Sequence, residues 1–138
     1  MNRELRPASM AAPAAAYAHG IEVSGAAKWV FTSGVVPVRD DGSVPSDLAE
    51  QAEVVWANIL AVLSEAQLEP LDIVSVTTYV VENDAERIAG GELSQRLAVV
   101  MAARDVALDG HRAASTLVTV PTLVRPEWRM EISVVAAR

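Results

Sequence analysis

The order of apolar segments predicts an α/β (α+β) chain, ββαβαββ, in which one mixed sheet carries two helices on one face. Three observations lead there. Runs rich in β-branched and aromatic residues occupy 28–36, 73–81, 115–120 and 129–136, which is strand composition. Between them, 46–66 and 84–108 repeat apolar residues at three- and four-residue steps, the period of an amphipathic helix. Strands separated by segments of that length need crossover connections, so the helices stack on the sheet. The 138 residues suffice for one domain, 1–138, with one sizeable core.

Residues 1–16 read as a loose lead-in, because Pro7 and Pro13 oppose any long helix. Tyr17–Ser24 alternates as a first strand, and Gly25-Ala26-Ala27 turns it back into 28–36, which predicts a hairpin. Within KWVFTSGVVP at 28–37, Ser33-Gly34 interrupts the apolar run and Pro37 ends it. A glycine inside a strand pattern marks a bulge or a close approach to the backbone. Beside a hydroxyl, its N–H can also serve as a donor for a ligand oxygen.

Arg39–Gly42 has the composition of a turn. Ser46 or Asp47 caps the next helix, whose predicted buried stripe is Leu48, Ala52, Val55, Ile59, Val62, Leu63 and Ala66. Ile73–Val81 contains no breaker and reads as a central strand. The second helical region is interrupted at Gly90-Gly91, with Leu93, Leu97, Val100 and Met101 expected to face the core. Ser115–Val120 and Arg129–Ala136 complete the sheet. In Ile73–Val81 both alternating sets are mostly apolar, so the face without helices is expected to need a partner, most simply another copy of the chain.

Composition excludes several classes of function. Eighteen acidic against eleven basic residues give a formal charge of −7, a field that repels phosphate backbones and argues against nucleic acid as a partner. No apolar run approaches a membrane span, and the Ala-rich N-terminal stretch broken by Pro13 is a poor signal peptide, so a cytoplasmic location is expected. With no cysteine, disulfides, thiolate chemistry and Cys-ligated metals are all excluded. His19 and His111 lie far apart in sequence without a third ligand in a recognisable pattern, so no metal is expected. No phosphate loop or Ser-His-Asp order is visible, and no cofactor is expected.

Several segments together resemble the RidA/YjgF-like family of small trimeric proteins. They are Tyr17-Ala-His-Gly, FTSGVVP at 31–37, QAEVVWANILAVL at 51–63, VSVTTYVV at 74–81, STLVTV at 115–120 and RPEWRMEISVVAAR at 125–138. The resemblance implies a chorismate-mutase-like fold, a homotrimer with sheets facing inward, and clefts between subunits. It implies hydrolysis of reactive imines or enamines, made from amino acids, to 2-keto acids and ammonia. On the matching positions, Tyr17 lines the cleft, Ser33 and Gly34 supply the backbone site, and Glu131 positions water as a general base.

The family arginine that grips a substrate carboxylate has no counterpart: the best register places Ser115 there, and a hydroxyl does not replace a planar guanidinium. Arg112, three residues upstream, is the candidate substitute. The family asparagine has no clear counterpart within 84–108. Two other readings follow from these departures: a non-catalytic ligand-binding or regulatory trimer, and, least favoured by the acidity, a ribonuclease or translation inhibitor.

Overall fold

A computed structural model of the chain describes residues 2–138. Six strands form, β1 (Asn2–Leu5), β2 (Gly20–Val23), β3 (Trp29–Phe31), β4 (Ile73–Val81), β5 (Ala114–Val120) and β6 (Met130–Ala137). The helices are α1 (Leu48–Glu65), α2 (Asp84–Gly90) and α3 (Leu93–Leu108). A four-stranded sheet runs β3-β6-β4-β5. The breaker-free β4 lies inside it, parallel to β5 across the helical crossover and antiparallel to β6.

The predicted hairpin between 17–24 and 28–36 does not form. Instead β2 pairs with β1 in a separate two-stranded ribbon, closed by an Arg3–Glu22 ion pair at 3.0 Å. β3 pairs with β6, with Val30 opposite Ala136. The one mixed sheet is therefore a four-stranded mixed sheet plus a ribbon. The lead-in expected to be loose over 1–16 holds a strand at Asn2–Leu5, since prolines at 7 and 13 oppose helix but leave 2–5 free to pair. A two-residue period identifies a strand without naming its partner, which explains the misassigned pairing.

The core lies between the sheet and the helices α1 and α3. Leu48, Ala52, Val55, Trp56, Ile59 and Leu63 bury one face of α1 against Met130, Ile132, Val134 and Ala136 of β6 and Val76 and Val80 of β4. Asp47 caps α1, accepting the Glu50 N–H at 3.1 Å. Val62 lies 44% exposed, and Trp56 and Gln51 fill the stripe instead. Gln51 is fully buried yet satisfied: its amide donates to the Pro45 and Glu127 carbonyls, and its oxygen accepts the Arg129 N–H.

Of the four residues predicted to face inward from α3, only Val100 is fully buried; Leu93, Leu97 and Met101 are half-buried. Arg96 and Arg104 take the other inward positions. Arg96 replaces water with protein acceptors, donating to Gly91 O at 3.0 Å, Val81 O at 2.9 Å and the Glu82 carboxylate. The sheet turn before β4 is pinned by buried Asp72, which accepts the Glu69 N–H at 2.8 Å and pairs with Arg138 at 2.7 Å. Burial pushes the Asp72 carboxyl up, but the guanidinium and the N–H outweigh it and hold it below the usual carboxylate range.

Candidate functional site

At Ser33-Gly34 the edge strand carries an extra residue. Thr32 N–H reaches Val134 O at 3.0 Å, whereas Val35 N–H reaches Ile132 O at 2.7 Å. Ser33 and Gly34 thus stand together opposite Ser133, which defines a β-bulge. Among the described residues neither of their backbone N–H groups has a protein acceptor, and both residues are exposed.

The absence of a Cβ here lets a side chain lie against the backbone. A Cβ at Gly34 would overlap the Glu131 carboxylate outright and stand 2.6 Å from its Cδ. The carboxylate of β6 therefore lies directly over the bulge backbone. Among the described residues it accepts no hydrogen bond and pairs with no cation. Sequence resemblance placed Ser33, Gly34 and Glu131 in one site, and the structure brings these three together.

Gly34 and Glu131 border a cavity of about 490 Å³ on the sheet face without helices, and Ser33 adjoins it in the bulge without lining it. Its floor adds Tyr79, directly across from Glu131 on β4, and Ser133; Thr122, Leu123 and Val124 of the β5–β6 loop form the rim. Tyr79, Ser133 and Thr122 escaped the sequence reading. The register that buries Val76, Thr78 and Val80 turns Ser75, Thr77 and Tyr79 outward, so β4 presents hydroxyls there rather than the expected second apolar set. The apolar part of this face comes from the sheet margins instead: stacked Trp29 and Phe31, 48% and 71% exposed, and Val118.

The remaining predicted residues gather elsewhere. Tyr17 adjoins β5 through the Ala18–Ala114 bridge, and its carbonyl accepts from Arg112 Nη2 at 2.7 Å. Arg112 also meets Glu4 of β1 at 3.4 Å, and Glu4 pairs with Arg6 at 2.8 Å. The Arg6 hydrogen bond, opposed by burial and assisted by the Arg112 charge, holds the Glu4 carboxyl below the usual range. Ser115 is paired with Val76, three rungs from Glu131, and on the helix-covered face. Within one chain Tyr17, Arg112 and Ser115 do not reach the Glu131 cavity. The histidines are engaged locally, His111 Nε2–H donating to Ile73 O at 2.7 Å and His19 meeting Ala11 O at 2.6 Å.

α2 follows β4 closely and buries none of its residues. Ion pairs hold it: Arg129 to Glu86 at 2.8 Å, Arg87 to Glu82, and Arg96 to Glu86 at 3.9 Å. The Gly90-Gly91 break is explained at both positions. A Cβ at Gly90 would stand 2.7 Å from Arg129 Nη2, and Gly91 adopts φ 85° where the helix ends.

A four-stranded mixed sheet backed by two long helices, with a carboxylate-bearing cavity on its other face, defines an α+β fold shared with solved structures of Rid-type proteins. YyfB of Yersinia pestis, a protein of unknown function of the conserved Rid protein family, superposes with a TM-score of 0.80 at 26% identity, covering 99% of this chain and 98% of that one. Escherichia coli TdcF with bound serine superposes at 0.66, with 24% identity and the same coverage. In sequence, TdcF of Escherichia coli K12, named a candidate reactive intermediate deaminase, is 32% identical over 67 residues. That stretch is 48% of this chain and 50% of TdcF, so the chain spans about half the length of the curated relative it matches. The chain belongs to the Endoribonuclease L-PSP family, the RidA/YjgF-like group, whose pattern matches residues 8–138.

Proposed function

We propose that the chain is a deaminase of the reactive-intermediate type, hydrolysing a small imine or a related carbonyl-like compound. The observation that carries this reading is the unpaired Glu131 carboxylate, held over the Gly34 backbone in a cavity of about 490 Å³. In that reading Glu131 takes a proton from a water as it attacks the C=N carbon. The Ser33 and Gly34 N–H groups meet the electronegative atom of the substrate. Collapse of the carbinolamine expels ammonia, so that R₂C=NH + H₂O gives R₂C=O + NH₃.

Homotrimeric assembly belongs to the same proposal. The Tyr17–Arg112 edge lies away from the Glu131 cavity within one chain, and a second copy would bring the two together. The exposed Trp29–Phe31 pair and Val118 are the apolar surface such packing would cover. With no helix among the described residues long and apolar enough to cross a membrane, a cytoplasmic location remains part of the proposal.

A non-catalytic binding trimer is the second reading, favoured by Ser115 at the position of the family arginine and on the helix-covered face. Ribonuclease or translation-inhibitor activity is the least supported of the readings, because the acidic charge and an acid-lined cavity both oppose an RNA backbone. The deciding experiment follows ammonia and carbonyl release from imines generated in situ, with Glu131→Gln beside the wild type. Loss of about 10²-fold or more in kcat is expected for the variant. Binding of imine analogues without turnover by either protein would establish the second reading.

A further inference from the structure

We propose that this site takes an imine that carries no carboxylate, neutral or cationic, and that Glu4 keeps Arg112 from serving one. The inference rests on the deaminase reading and names its substrate class. The cavity offers hydroxyls from Tyr79, Ser133 and Thr122 and one negative charge, Glu131, and no lining residue is cationic. A carboxylate placed there would be desolvated beside a like charge without a compensating partner, which is costly.

Arg138 is paired with Asp72, and the arginines that precede Glu131 on the approach to β6 are engaged as well. Arg129, two residues before Glu131, directs Nε to both Glu86 oxygens at 2.9 Å and Nη1 to Ser46 O at 3.1 Å. Arg125 lies over the Trp128 ring at 5.9 Å. Arg112, on the edge assigned to a second copy in the proposed trimer, gives Nη2 to the Tyr17 carbonyl at 2.7 Å with the Glu4 carboxylate 3.4 Å away. Its buried Nε has no hydrogen-bond partner among the described residues, while Ser115 offers no charge. The N-terminal ribbon thus supplies an internal carboxylate to the guanidinium a substrate would need. The net charge of −7 works in the same direction at long range, drawing cations and repelling anions.

The test uses matched imines with the same side chain. One, RC(=NH)COO⁻, is made from an amino acid by an amino-acid oxidase; the other, RCH=NH, is made from the corresponding primary amine by an amine oxidase. Water converts them to RCOCOO⁻ and RCHO, each with release of NH₃, and competition with semicarbazide reports the rate above background. The wild type is expected to favour the carboxylate-free imine by at least about tenfold in kcat/KM. Glu4→Gln, which releases Arg112, should narrow that ratio by about tenfold, and adding Arg112→Met should restore it. Glu4→Ala provides an independent second variant. Equal or greater rates on the carboxylate imine overturn the inference and leave the deaminase reading standing. A ratio unmoved in both Glu4 variants overturns the role of Glu4. Hydrolysis of neither imine by assembled protein removes the deaminase reading and this inference with it.

Discussion

At Gly34 one hydrogen atom decides whether the candidate site exists. Gly34→Ala should push the Glu131 carboxylate off the bulge, because the added methyl and the carboxylate claim the same space. Deaminase turnover is expected to fall by about 10²-fold with Tm changing only a few degrees, since both residues lie toward solvent. Asp72 makes the opposite trade. It contributes to stability rather than chemistry, and its folded-state carboxyl lies below its unfolded value. Its contribution is therefore present above the ordinary carboxylate range and is lost as pH falls through the lower folded value. Asp72→Asn should lower stability by about 1–2 kcal/mol at neutral pH and flatten the acid limb of a Tm-against-pH curve. An unchanged acid limb would assign the acid dependence to other carboxylates.

Among the elements, α2 stands apart because ion pairs and the Asn83 cap, rather than apolar burial, hold it in place. Glu86→Ala would leave Arg129, only 13% exposed in its side chain, without its carboxylate. A loss of about 3 kcal/mol is expected, with faster amide exchange concentrated in 84–90. None of this was legible from the apolar period. The 84–108 pattern correctly predicts helix, but two arginines occupy inward positions that the period assigns to aliphatic side chains. Buried guanidinium groups look like surface residues in a sequence until their acceptors are known. By contrast, α1, β4 and β6 were readable because each buries a largely apolar face, and β5, which buries none of its residues, was readable from its β-branched composition. The Ser33-Gly34 bulge was readable from one glycine, and Glu131 from resemblance. Tyr79 was missed because the alternation of β4 left open which set turns outward.

For the whole molecule, the uncovered sheet face is where assembly can be tested. Phe31 is 71% exposed, so on the proposed trimer Phe31→Asp should fold normally while shifting sedimentation toward monomer; wild-type protein that sediments as a monomer overturns the assembly proposal. Loss of assembly without loss of deamination would show that one chain contains the complete site. The strand order also constrains how the chain reaches its native state. β3 joins β6 across residues 32–129, Phe31 opposite Val135 and the Lys28 N–H on the Arg138 carbonyl. β6 is interior to the sheet and follows every strand it joins, so a ribosome-bound chain lacking it holds β3 and β4 with no strand between them. Collapse before that point exposes unpaired edges to neighbouring nascent chains. The proposed general base, Glu131, lies at the start of this closing strand, so the carboxylate and the strand that completes the sheet are synthesised together.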